Sequence, residues 1–414
     1  MLNLHLKSLL LNSRMLVMLA LGFASGLPLA LTGNTLQAWY TQAGISVVTI
    51  GALSLIGMPY VWKFLWAPLM DRFALPFCGR RRGWILLMQF SLCIAIAVLA
   101  QLSPTLEPHT VALMALLIAF LSASQDISVD AYRTDILLPQ ERGVGTAYFI
   151  FAYRIAMLVS GGLALVIADY WGWRILFELM AVLMGFSFLM TYLSPNVADP
   201  VQSPKHLKSV ITESYRDLFR RESIGLILLF IVFYKLGDAL ALSLTTTFLL
   251  KGVGFTLTEV GLAYKVLSLA GTILGALVGG TFLARLGLFR ALLFFGLAQA
   301  FSTLLFMLLA VMGKNYHLMI VTIFTESVCS GMGTAAFVAF LMSLCHQRYS
   351  ATQFACLSAL SAVGRVFLGP VAGMLVAHLG WMSFFGWSFL MSFPGILILA
   401  LIRHKVKNVQ LAEC

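Results

Sequence analysis

The chain has 414 residues, of which 60% are hydrophobic and 10% charged, with a formal net charge of +11 and a mean hydropathy of +0.94. Soluble domains carry about a quarter charged residues, so the composition excludes a soluble globular protein and points to an all-α polytopic membrane protein. The basic excess calls for no nucleic-acid partner, because membrane proteins collect Lys and Arg in their cytoplasmic loops.

A helix that crosses the lipid hydrocarbon needs roughly 20 apolar residues. Apolar runs between breaks predict twelve spans, at 15–37, 48–70, 84–102, 111–133, 145–167, 174–194, 225–249, 259–283, 289–312, 318–343, 353–377 and 381–402. The first run is itself long enough to span, so no cleavable signal peptide is read. An even number of spans puts both termini on one side. With that side cytoplasmic, the outer segments hold only Arg174, Lys251 and Lys314 of the 27 Lys and Arg, and this asymmetry sets the orientation.

The segment after the second span, "APLMDRFALPFCGRRRGW" (Ala67–Trp84), combines Asp71 and Arg72 with Arg80, Arg81 and Arg82. Positive-inside charge explains the arginines but not Asp71. An acid there can pair with basic residues or helix N-termini and latch one conformation, which makes the five residues a candidate gating loop. The sixth span is followed by a polar, proline-punctuated stretch, Leu193–Ser223. It divides the chain into an N-terminal six-helix half (1–194), a cytoplasmic linker (195–224) and a C-terminal six-helix half (225–414).

Ionisable residues inside spans are costly and usually face a cavity or a partner. They are Lys63 in the second span, Asp126 and Asp130 in the fourth, Arg154 in the fifth, Lys235 and Asp238 in the seventh, Lys265 in the eighth, Glu326 in the tenth and Arg365 in the eleventh. Spans three, nine and twelve hold none in their cores. Depth at 1.5 Å per residue suggests the pairs Asp126–Arg154 and Lys265–Glu326, while Lys235 and Asp238 at i,i+3 can meet on one helix. Asp126 and Asp130 at i,i+4 share a helix face. Two readings stay open for them. Carboxyls in a low-dielectric site can take up and release a proton, which makes Asp126, Asp130, Asp238 and Glu326 candidates for proton coupling. Alternatively, one acid neutralises Arg154 and the other pairs with Arg133. Arg154, Lys235, Lys265 and Arg365 likewise either meet an anionic ligand or are held by internal acids. Near the outer end of the first span, Gln37 and its neighbours Asn34, Thr35, Trp39 and Tyr40 suit a polar, sugar-like ligand.

The six cysteines show no CxxC and no metal spacing, so neither disulfides nor a metal site is expected. There is no nucleophile–base constellation and no phosphate loop. These features argue against an enzyme and imply no cofactor.

Several long runs resemble the AmpG family of bacterial permeases: "LGFASGLPLALTGNTLQAW", "FLWAPLMDRF…GRRRGW", "SASQDISVDAYRTDILLPQERG", "YRIAMLVSGGLAL", "YKLGDALALSLTTTFLLKGVGF" and "SATQFACLSALSAVGRVFLGPVAG". The matches cover spans one to eleven. That family is part of the major facilitator superfamily, so the resemblance implies twelve transmembrane helices in two six-helix halves, in the bacterial inner membrane. It also implies proton-driven import of anhydromuropeptides for cell-wall recycling, which in some bacteria feeds induction of a β-lactamase. On that footing Arg154, Lys235, Lys265 and Arg365 are expected to hold the carboxylates of the stem peptide, and Gln37 and Gln125 the sugar. Such carriers usually work as monomers. Some family members carry two further C-terminal spans, whereas this chain stops after twelve, with the translocating core expected to be intact. A carrier of another bulky anion, such as an acyl-coenzyme A, and a non-transporting membrane sensor are the alternatives.

Overall fold

The computed structural model describes residues 12–67, 70, 79–137, 141–195, 224–344 and 350–403, and their regular structure is entirely helical. Ten long apolar helices come first: α1 (Ser13–Gln42), α2 (Val47–Leu65), α3 (Arg81–Leu99), α4 (Pro108–Arg133), α5 (Gly145–Trp171), α6 (Trp173–Tyr192), α7 (Ile224–Val253), α8 (Leu257–Leu283), α9 (Leu288–Met312) and α10 (Tyr316–Ser343). An eleventh apolar run, Cys356–Leu401, is 46 residues long, more than twice what one span needs. Its backbone leaves the helix at Gly380 (φ 76°, ψ 173°). We therefore name the stretch before Gly380 α11 and the stretch after it α12.

Local chemistry explains many of the boundaries. Asn12 caps α1, Ser46 caps α2 and Asn315 caps α10, each side chain accepting from a first-turn backbone N–H. Thr256 and Glu259 form a reciprocal capping box at the start of α8. Gly172, at φ 86°, makes the corner between α5 and α6 that an L side chain disfavours.

The contacts divide the chain into two units, residues 1–45 with 56–205 and residues 46–55 with 206–414. In the first, Met15, Met18 and Leu21 of α1 pack with Ile85 of α3, Val129 and Tyr132 of α4 and Phe149 of α5. Helices α1 and α5 come together because Gly22 and Gly26 carry no Cβ; one added at either would collide with the Phe149 or Tyr153 carbonyl. Tyr132 closes the C-terminal end of α4 by donating to the Pro195 carbonyl (2.7 Å).

In the second unit, Phe230 and Tyr234 of α7 pack on Phe337 and Phe340 of α10 and on Leu292 and Phe295 of α9. Tyr234 stacks on Phe337 (centroids 5.4 Å apart, 7° between planes), and Phe230 meets Phe340 edge-on. The beginning of α2 belongs here too. Gly51 packs against the Gly369 backbone of α11, and Ser54 Oγ donates to the Val366 carbonyl (2.6 Å).

Candidate functional site

In the first unit the polar groups gather around Asp126 on α4. The charges that act on its carboxyl are Lys63 of α2 and Asp130, one turn further along α4; the Ser25 hydroxyl of α1 is its hydrogen-bonding neighbour. No basic group lies within 4 Å of Asp126 among the described residues. This corrects the expected Asp126–Arg154 pairing: Arg154 is exposed on α5, and Lys63, which comes off the last turns of α2, takes its place. Asp130 is different. It pairs with Arg133 at 3.3 Å and is more than half exposed, and Arg133 also lies over the Phe149 ring.

Gln125, wholly buried, reaches Ser25 through Nε2 (3.5 Å), and among the described residues its Oε1 has no hydrogen-bond partner. Tyr60 of α2 has Ser122 and Thr32 beside its hydroxyl and Asp126 within electrostatic reach, yet among the described residues neither Tyr60 Oη nor Ser122 Oγ completes a hydrogen bond. Buried oxygens are seldom left so. Gln37 is buried on α1, and its carbonyl accepts from Thr41.

The second unit gathers a comparable set around Glu326 on α10. Lys235 and Asp238 meet at 3.7 Å, as their i,i+3 spacing predicts. Lys235 occupies a break in α7, between Ile224–Tyr234 and Leu236–Ser243, and its Nζ also donates to Thr334 of α10 (3.2 Å). Glu326 is buried, 6% exposed; among the described residues its carboxylate meets only the Ser327 hydroxyl, at 3.4 Å, and its Oε1 has no partner. Asp238 and Lys235 are its charged neighbours, and Tyr264 of α8 lies beside both acids. Arg365 of α11 is exposed and within electrostatic reach of Lys235. The side chain of Lys265, and with it the expected Lys265–Glu326 pair, lies outside the described residues.

The gating-loop candidates are only partly visible. Asp71 and Arg72 lie outside the described residues, as does the side chain of Arg80. Arg81 reaches Asp135 at 3.7 Å, and Arg82 donates to the Tyr192 carbonyl with its guanidinium over the Tyr192 ring. The two arginines thus bind the start of α3 to the ends of α4 and α6.

Beyond Gln37, Gln125 and the polar outer end of α1, sequence reasoning counted charges and passed over neutral polar residues in the spans. Tyr60, Ser122, Tyr264 and Gln299 of α9, whose Nε2 is buried and unpartnered, were legible only as polar residues in apolar runs. Ser122, Gln125 and Asp126 at i, i+3 and i+4 share one face of α4, a spacing that would have linked them.

The family model of the Major Facilitator Superfamily matches residues 13–367. The anhydromuropeptide permease of Escherichia coli K12 is 52% identical over 97% of this chain and 82% of its own. An AmpG-type transporter of Rickettsia conorii is 30% identical over 95% of this chain and 97% of its own. Among solved structures, the nucleoside transporter NupG superposes with a TM-score of 0.73 over 94% of this chain and 99% of that one, at 15% identity, which speaks to the fold alone. The chain is a multi-pass membrane protein that belongs to the major facilitator superfamily and, within it, to the AmpG permease family.

Proposed function

We propose that the protein imports anhydromuropeptides from periplasm to cytoplasm by proton-coupled alternating access. The observation that carries the substrate class is the 52% identity, along almost the whole chain, to a permease named for that solute. Within the bacterial inner membrane, the concentration of Lys and Arg in alternate segments supports cytoplasmic termini. The two six-helix halves, 1–194 and 225–414 about the 195–224 linker, would alternate access as a monomer, with the Asp71–Arg82 loop as the inner latch.

The chemistry of each unit's polar residues suits such a solute. Arg365 and Lys235 offer cations to carboxylates, with Arg154 and Lys265 as further candidates, while Gln37 and Gln125 offer amides to sugar groups. Proton coupling is assigned to Asp126 and Glu326 ahead of Asp130 and Asp238. The latter two have basic partners within 4 Å; among the described residues Asp126 and Glu326 have none, and an unpaired carboxyl shielded from water is neutralised most simply by a proton.

The test of substrate class is uptake of a labelled disaccharide–peptide into proteoliposomes, challenged with unlabelled disaccharide–peptide or an acyl-coenzyme A. Competition by the first alone supports the reading. Competition by the acyl-coenzyme A alone replaces it with a carrier of other bulky anions.

A further inference from the structure

Helix α1 is interrupted where a membrane helix can least tolerate it. Leu31–Thr35 forms a π-turn, inside which Gly33 leaves helical geometry (φ −96°, ψ −106°). At 1.5 Å per residue, Gly33 lies about 8 Å from the midpoint of the 30-residue helix, within hydrocarbon depth. Gly33 is exposed, and a Cβ there would meet nothing within 4 Å. Irregular backbone exposed to lipid does not occur at that depth; it persists only where it is buried in protein or faces water. The exposed side of this turn is thus suited to face water inside the membrane.

The turn is also held in place. Helix α5 carries its own π-turn, Val159–Leu163, and the Thr35 hydroxyl of the first turn donates to the Ser160 carbonyl of the second at 2.6 Å. On the turn, the Asn34 amide makes no hydrogen bond among the described residues. Gln37, buried, follows on the next turn of α1, whose single charged residue, Arg14, lies at the opposite end of the helix.

Resting on the proposed function, we infer that the Leu31–Thr35 turn is a binding subsite for a neutral donor–acceptor group, a sugar hydroxyl or a secondary amide. Asn34 supplies the side-chain contact, and Gly33 gives the ligand close access to the backbone. Substrate selection then rests partly on a main-chain distortion in α1, apart from the charged residues around Glu326.

The test is direct binding to the purified full chain by titration calorimetry, with two probes: the disaccharide without peptide and the free stem peptide. Asn34→Ala is expected to weaken one probe about fivefold, the loss of one hydrogen bond, and the probe affected identifies whether sugar or peptide amide is read. Thr35→Val, which frees the turn, should weaken the same probe, and Thr35→Ser should restore it. Unchanged affinities for both probes in Asn34→Ala, or no binding of either probe to the wild type, overturn the inference. Melting temperatures measured alongside expose a purely structural role, which would lower stability and leave affinity intact. Transport by the wild type is scored separately in vesicles, so binding without uptake contradicts the proposed function and leaves the subsite standing.

Discussion

Lys235 lies 3.7 Å from Asp238 on the same helix, each side chain 15% exposed, at a break in α7. Paired charges this shielded depend on one another: removing one leaves the other uncompensated, whereas replacing both by apolar groups can be nearly neutral. Lys235→Met is therefore expected to cost about 3 kcal/mol, and the double variant Lys235→Met/Asp238→Leu markedly less than the sum of the single changes. A double-mutant cycle on thermal unfolding in detergent checks this, with additive costs as the contrary outcome.

The contrast between paired and unpaired acids gives a second prediction. Asp126→Asn and Glu326→Gln should each abolish or severely reduce gradient-driven accumulation while sparing exchange of substrate across the membrane. Asp130→Asn, whose acid is held by Arg133, should retain accumulation within about threefold, the effect of a weak exposed pair. Accumulation and exchange measured in the same vesicles separate the two behaviours.

Helix contact makes a third. A side chain at Gly26 would collide with the Tyr153 carbonyl and the Ala156 side chain. Gly26→Leu should force α1 from α5 and cost several kcal/mol by overpacking, seen as loss of folded protein in size-exclusion chromatography. Gly225, where an added Cβ meets nothing within 4 Å, is the control position: Gly225→Ala should leave yield and elution unchanged.

Arg365 is exposed, near Lys235, and suited to planar carboxylates. Arg365→Ala should raise the half-saturating concentration of the peptide-bearing substrate by roughly tenfold, the value of one charge-assisted hydrogen bond. That of the bare disaccharide should change far less. Concentration-dependent uptake of both compounds measures the difference, and equal shifts would remove Arg365 from carboxylate recognition.

Much of the fold was legible because lipid imposes it. The twelve apolar runs follow from the length a helix needs to cross hydrocarbon, and the i,i+3 pair Lys235–Asp238 follows from helical spacing alone. What failed was distance between helices. Asp126 and Arg154 match in depth, but depth does not fix rotation, and the structure gives Asp126 the Lys63 side chain from the end of α2. Nor does the sequence announce the Leu31–Thr35 turn. Pro28 and Gly33 mark α1 as irregular, but the facing π-turn in α5 and the Thr35–Ser160 hydrogen bond are tertiary facts. The start of α2 packing with α11 depends likewise on Gly51 meeting Gly369, two residues far apart in sequence whose fit only packing reveals.

Uptake of labelled anhydromuropeptide into proteoliposomes, with and without an imposed inward proton gradient, tests the central claim most directly. The account predicts accumulation above equilibrium only with the gradient, and its loss in Asp126→Asn. Uptake that merely equilibrates under the same gradient would contradict proton coupling and return Asp126 and Glu326 to a structural role.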